Sequence, residues 1–403
     1  MTSTLITMTI PAHVPRALVY DFDHFSSPEV VRDPHFATGK KLHGEAPPIF
    51  YTPRNGGLWL VTRSEIGLDI LRQTDKFSNN PEFNRSKLFD PPMLPVQSDP
   101  PEHTELRRIL NPKLVPGAVN AMEPGIRDCV REIIDEIRPN GGCEFVEEVG
   151  ERFSVTLFLK LAGAPLSDRA ELVRMAIKYT KSPDFNDRQD AMTELAAYLQ
   201  AKYKQRQARP ADDMLTELAT AKLSFRELTE SERSGLGVML FLAGLDTVKS
   251  LLSFFVAFLA KHPVQYRRIT DNPALIPAAM EELLRVHGIV TLERGATHDF
   301  EFRGVPFRKG DRIALLTQIF GLDDQAVENP YVVDFDRRIS PHLIFGAGPH
   351  RCIGSHLARI EIRVFLEEWC KAFPLFGLKD DAEVKTAGGV VWAPMELPVV
   401  WPV

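Results

Sequence analysis

The stretch LIFGAGPHRCIGSHLAR, from Leu343 to Arg359, sets a cysteine between glycine-rich turns and the start of a helix. Phe345, Gly346, Gly348, His350, Cys352 and Gly354 follow the spacing FGxGxHxCxG. The plainer reading of such a cysteine is a small buried hydrophobe. Glycines at 346, 348 and 354 argue for more, because residues without a Cβ let the backbone loop tightly and approach a flat ligand. A helix expected to begin near Ile353 points its N–H groups at the sulfur, and those donors and the dipole favour a thiolate. A thiolate held in a tight loop is a metal ligand.

Three other constellations could carry chemistry. AGLDT, Ala243 to Thr247, lies in SGLGVMLFLAGLDTVKSLLSFFVAFLAK, a run apolar on all sides that predicts a buried helix. Burying a charge costs several kcal/mol unless it is paired, so Asp246 and Thr247 need a reason to be there. The plainer one is a threonine bonded back to a carbonyl and an aspartate bonded to a nearby base. Gly244, lacking a side chain, is expected to let this helix open a groove for dioxygen and water. EELLR places Glu282 and Arg285 three apart on one helix face, the spacing of an ordinary surface ion pair. DPPEHTELRR sets His103 and Arg107 four apart on a helix starting after Pro101.

The elements that must position these residues are mostly helical. Helical periodicity dominates from 102 to 285 and again from 343 to 375. Strand-like pieces fall at about 45–65, 296–316 and 384–403, with GLWLVTR as a strand, Ser64 as the cap of the helix after it, and RKGD as a hairpin turn. Between Asn79 and Asp99 the chain is proline-rich and irregular. No linker, repeat or low-complexity run divides the 403 residues, so a single mainly α domain with small β-sheets, 1–403, is expected.

Composition narrows the partners. The net charge of −6 argues against nucleic-acid binding, which needs a basic surface. Cys129, Cys143, Cys352 and Cys370 form no CxxC pair, which removes zinc spacing, and are too few for a disulfide scaffold. The start, MTSTLITMTIPAHVP, has neither the basic nor the apolar part of a signal peptide. The uninterrupted apolar run Gly235–Leu245 falls short of the roughly 20 residues that span a bilayer. A soluble, cytoplasmic, monomeric protein is expected, with no membrane partner.

The FGxGxHxCxG loop resembles that of the cytochrome P450 family, the haem-thiolate monooxygenases, and the resemblance extends over essentially the whole chain. GLDTV, IPAAMEELLR and ELPVVW read like the soluble bacterial, camphor-hydroxylating type. The resemblance implies the P450 fold, with haem b between the long helix and the cysteine loop. Cys352 is then the axial ligand whose electron density favours O–O cleavage, and Asp246 and Thr247 are the proton-delivery pair. His103, Arg107, Arg294 and His350 would bind the haem propionates, while Phe345, Gly346 and Ala243 adjoin the ring. Glu282, Arg285 and Arg337, the last from DFDRR, would hold the haem-binding core together without doing chemistry.

The same resemblance places substrate among Phe83, Phe89, Leu94, Val96, Leu242, Val248, Val290, Leu292 and Val391. That set is almost wholly apolar and suits a compact monoterpenoid. Where camphor-type relatives use a tyrosine in the proline-rich loop to hold a ketone, this chain has Pro91, so a cineole-like ether, an ionone-like ketone or a plain terpene fits as well as camphor. Asn84, Ser86, Gln97 and Thr291 are the polar side chains available to orient it. With no flavin or dinucleotide fingerprint, two electrons would come from a 2Fe-2S ferredoxin and its reductase, steered by Arg108, Lys113, Arg351 and Arg359. The alternatives are a peroxide-dependent haem-thiolate hydroxylase, or a non-catalytic haem or lipophile-binding protein; the intact Asp246–Thr247 pair speaks against both.

Overall fold

One long buried helix, Glu230–Lys261, organises the computed structural model, which describes residues 10–83, 90–338, 342–380 and 382–403. Its start is written in the sequence. Thr229 accepts from the Glu232 N–H at 3.2 Å, and the Glu232 carboxylate accepts from the Thr229 N–H at 2.8 Å, a capping box. This helix as a whole is long and apolar enough to cross a membrane, which the run Gly235–Leu245 alone is not, yet 72% of its apolar window is buried inside the protein.

The helices that carry the site are α1 (Ser64–Arg72), α2 (Glu102–Leu110), α3 (Glu123–Ile137), α4 (Arg152–Ala162), α5 (Arg169–Lys181), α6 (Phe185–Ala208), the long α7 (Glu230–Lys261), α8 (Ile276–Val286) and α9 (Ser355–Ala372). A π-helical turn, Val146–Glu151, runs directly into α4. The strands are β1 (Ile49–Thr52), β2 (Leu58–Val61), β3 (Phe77–Ser78), β4 (Gly142–Glu144), β5 (Thr291–Ala296), β6 (Phe300–Phe302), β7 (Val305–Phe307), β8 (Arg312–Leu316), β9 (Gly377–Leu378), β10 (Thr386–Ala387), β11 (Ala393–Pro394) and β12 (Pro398–Val400). They form a five-stranded sheet in the order β1-β2-β8-β5-β3, a three-stranded sheet β4-β12-β9, and the pairs β6-β7 and β10-β11.

Two local expectations change. Ser64 does not cap α1 but opens it; the cap is the Asp323 carboxylate, which accepts from the Ser64 N–H at 2.8 Å and its hydroxyl at 3.1 Å. RKGD turns the chain from β7 to β8, which lie in different sheets, so it is not a hairpin. The hairpin turn is Arg303–Gly304, where both residues take positive φ, as a two-residue primed turn demands.

Packing divides α7 between two cores. Leu236, Phe241 and Leu245 pack with α4, α5 and α6, whereas Leu252, Phe255 and Leu259 pack with α3, α8 and α9. Asp246 and Thr247 stand at the junction. A Cβ on Gly244 would lie 2.1 Å from the Phe158 ring, so this glycine serves the contact with α4.

Candidate active site

The cysteine loop is closed by its own backbone. The Cys352 N–H donates to Phe345 O at 2.8 Å and the Gly346 N–H to Leu343 O at 2.8 Å. Gly346 and Gly348 both take φ of +67°, and a Cβ on Gly348 would lie 2.4 Å from Leu71 O, so α1 presses directly on the loop. Gly354 needs no such freedom; its N–H donates to the Cys352 sulfur. The α9 helix begins at Ser355, two residues later than the sequence suggests. The Arg359 guanidinium lies over the Phe345 ring, 4.6 Å from its centroid.

Cys352 is surrounded by protein on all sides, yet its surface is open, so it faces an internal slot. Burial pushes its thiol up; the Gly354 N–H, Arg107, Arg351 and Arg359 oppose this without overcoming it. The donors at the helix start are present and act in the expected direction, and desolvation opposes them. Deprotonation falls to a bound metal, whose charge removes the proton from a coordinating thiol.

The slot has a polar edge. His103 on α2 and His350 in the turn before the cysteine meet at 4.0 Å between centroids, their rings tilted by 48°. Arg107 donates to Arg351 O at 2.7 Å, and Arg294 on β5 is buried beside them. The electrostatics tie all four together: His350 is pushed down to about 2 by burial, then by Arg294, His103 and Arg107. Burial, then Arg107, takes His103 down to about 4, and burial brings Arg294 down to about 10. Both ring nitrogens of His103, Nε2 of His350 and Nε of Arg294 are buried with no hydrogen-bond partner. Buried donors are normally satisfied, so this edge fits an anionic group with several acceptor oxygens.

On α7, Met239, Leu240, Ala243, Gly244 and Thr247 are half-buried while Leu236, Phe241, Leu242, Leu245 and Asp246 are buried. The half-buried set repeats every three to four residues, one stripe of the helix facing interior space. α9, which follows the cysteine loop, packs against α7. Thr247 donates its hydroxyl to Ala243 O at 2.8 Å. Asp246 lies between Lys181 Nζ at 3.1 Å and Lys249 Nζ at 2.9 Å. Burial alone would raise the Asp246 carboxyl, but the two ammonium groups outweigh it and hold it well below the usual carboxylate range. Neither lysine was singled out by sequence reasoning. A lysine three residues after Asp246 in an apolar run was the available signal; nothing local marks Lys181.

Behind the slot, Glu282 and Arg285 on α8 are buried and share two bonds of 2.7 and 2.8 Å, and Arg337 Nε donates to the same carboxylate at 3.1 Å. This is no surface pair.

The family model described as "Cytochrome P450" matches residues 159–397. The chain belongs to the cytochrome P450 family. A probable cytochrome P450 127A1 of Sinorhizobium fredii is 35% identical over 98% of this chain and 97% of its own length. The crystal structures of CYP101J2 and CYP101C1 superpose with TM-scores of 0.88 and 0.87 at 30% and 33% identity, each over 98% of this chain and 100% of its own. The P450 is thus a haem b monooxygenase that uses dioxygen and electrons from redox partner proteins. Its described residues fit haem b: a cysteine facing the slot at one side and, at the edge, a cluster of unsatisfied donors suited to carboxylates.

The remaining pocket residues are less convergent. Val290 and Val391 are joined by a β-bridge, and Leu292 approaches Gly346. Leu94 is buried with Met93, Leu242 and Val248 lie in the two cores, and Val96 is 41% exposed. Phe83 sits beneath Lys309, 5.2 Å from its ring. Phe89, Asn84 and Ser86 lie outside the described residues.

Proposed function

We propose that this P450 hydroxylates a compact, weakly polar molecule of monoterpenoid size. The observation that carries the reading is the state of the polar candidates. Gln97 accepts from the Met93 N–H at 2.7 Å and Thr291 accepts from Gln318 at 2.8 Å, so both are already occupied within the protein. Among the described candidates, what remains for a ligand is aliphatic: Ala243 on the α7 stripe, the Val290–Val391 bridge and Leu292. An apolar cavity with few convergent polar groups selects by shape.

In this reading Cys352 ligates the iron, and His103, Arg107, Arg294 and His350 hold the propionates. Bound haem supplies the oxygen activation, with the protein furnishing ligation, protons and position. Asp246 and Thr247 manage protons: the Thr247 hydroxyl, now donating to Ala243 O, keeps lone pairs free to accept, and rotation lets it donate into the slot. Glu282, Arg285 and Arg337 fix the cysteine loop from behind.

Electrons are proposed to come from a 2Fe-2S ferredoxin with its own reductase, in the cytoplasm. Of the four cations expected to steer it, Arg108 is paired with Glu105, Lys113 with Asp212 and Arg359 with Glu281. Among the described residues Arg351 forms no ion pair, so it is the leading steering group. Arg351→Glu should slow ferredoxin reduction more at low salt than at high; equal rates at both would remove Arg351 from the partner face.

The substrate class is tested by optical titration of the ferric, haem-loaded protein with monoterpenoids. Cineole-like ethers displacing the iron-bound water while camphor does not is the expected result. Tight binding of camphor would mean that another group replaces the missing loop tyrosine. Turnover with peroxide but none with any ferredoxin would favour the peroxide-dependent alternative.

A further inference from the structure

Asp246 has two lysine partners, and they are not equivalent. Lys181 ends α5 and also donates to Val391 O at 2.8 Å, so it tethers Asp246 to another helix and to the tail. It departs whenever α5 shifts. Lys249 stands three residues on in α7 itself, and one helix carries both members of that pair. It is buried, and the π-helical turn packs on it: a Cβ on Gly150 would lie 3.4 Å from the Lys249 Cγ.

The residue after Gly150 supplies the second observation. Glu151 ends the π turn and is half-buried, and its carboxyl makes no hydrogen bond to another described residue. Burial raises its pKa against the pull of Lys249 and Arg169, with Glu147 and Asp246 adding to the rise. Lys249 is therefore flanked by two acids, one at the slot and one toward the surface. π turns inside helices recur at functional sites because they re-aim a side chain without ending the helix.

We propose that protons reach Asp246 from solvent through Glu151 and Lys249, by the π turn rather than past Lys181 and the tail; this rests on the reading of Asp246 as the proton-delivery acid. The Glu151 carboxyl, which makes no direct bond to Lys249, gives its proton to a bridging water that passes one to Lys249 as Lys249 passes one of its own to Asp246, which hands it to Thr247. The Glu151 carboxylate then takes a proton from water. One proton moves inward, and no electron moves. Lys249 is a positioning residue in the resting state, keeping Asp246 ionised wherever α5 stands.

The test uses haem-loaded protein with its substrate and redox partners, comparing Glu151→Gln, Lys249→Met and Lys249→Arg with Asp246→Asn. Glu151→Gln is nearly isosteric and half-buried, so it carries the test even if Lys249→Met folds poorly. It should raise the solvent isotope effect on turnover and slow the proton-dependent step by about a hundredfold, the low end of what a positioned proton-transfer group contributes, with product per electron falling alongside; Lys249→Arg should stay within about twofold of wild type, because it keeps the charge. An independent readout is the infrared spectrum. Asp246 faces Lys181, Lys249 and Glu151, and in wild type should remain ionised at neutral and mildly acidic pH. Lys249→Met should bring up a protonated carboxyl band that vanishes when Asp246→Asn is added. Glu151→Gln and Lys249→Met matching wild type while Asp246→Asn is slow would overturn the route alone. An Asp246→Asn protein with an unchanged isotope effect would overturn the reading on which it rests.

Discussion

Two buried polar clusters, one around Glu282 and one around His103 and His350, are built on opposite plans. Around Glu282, every group is answered. Arg285 donates to both carboxylate oxygens and to the carbonyls of Gly321, Pro330 and Val332, and Arg337 adds bonds to Glu282, Glu328, Asn329 and Val332. Around His103 and His350 the polar atoms are as deeply buried, yet four of them have no partner. Burial of charge is costly in both places. A cluster closed on itself offsets that cost within the chain and holds shape; a cluster left open needs a ligand to complete it. Satisfaction, not burial or charge, separates scaffold from site.

Breaking each cluster should therefore have different consequences. Arg285→Met strands the Glu282 carboxylate with Arg337 and the Asp334 N–H; removing one partner of a buried pair costs about 3–5 kcal/mol, so the urea midpoint of the protein should collapse and little haem-loaded enzyme be recovered. A variant with an unmoved midpoint would show that the closed cluster is not scaffold. A contrast sharpens the point at Glu361 on α9, a buried acid with no hydrogen-bond partner among the described residues, pushed up to about 8 by burial. Its folded pKa exceeds its unfolded one, so the folded state holds the extra proton, and stability falls as pH rises between about 4.5 and 8, by up to about 1.4 kcal/mol per pH unit. Glu361→Gln should flatten that decline, seen in unfolding midpoints across the range; an unchanged slope would refute it. Asp246 carries the opposite sign: its depressed pKa contributes stability at neutral pH that is lost only as pH falls below the ordinary carboxylate range.

The open cluster should behave differently. His103→Phe should leave the fold intact and lower haem affinity about tenfold or more, since a bond to a charged group contributes about 1.5–3 kcal/mol. Haem transfer to apomyoglobin measures it; equal transfer rates would mean that the cradle does not hold the propionates. Smallest of all, Thr229→Ala removes the α7 cap at a cost of about 1 kcal/mol, lowering the midpoint while leaving haem affinity alone.

The chemistry-bearing residues were legible because their types are out of place locally: an acid in an apolar helix, glycines packed around a cysteine, an EXXR pair. Tertiary partners were not. The Asp323 cap of α1 lies far along the chain, and Phe158, the reason for Gly244, belongs to a different helix. Lys181 reads as an ordinary basic residue at a helix end until α5 folds against α7. The strand β4 hides in the helical half because its partner, β12, comes from the last part of the chain. The thiol of Cys352 shows the limit most plainly, since the desolvation that opposes the helix-start donors is a property of the folded loop.

The most direct test of the account is the carbon monoxide spectrum of the dithionite-reduced, haem-loaded protein, wild type beside Cys352→His. Wild type should give the red-shifted carbonyl band of thiolate-ligated haem, and the variant the shorter-wavelength band of a histidine-ligated one. A histidine-type band in the folded wild type, or identical bands in the two proteins, would contradict ligation by Cys352 and the reading built on it.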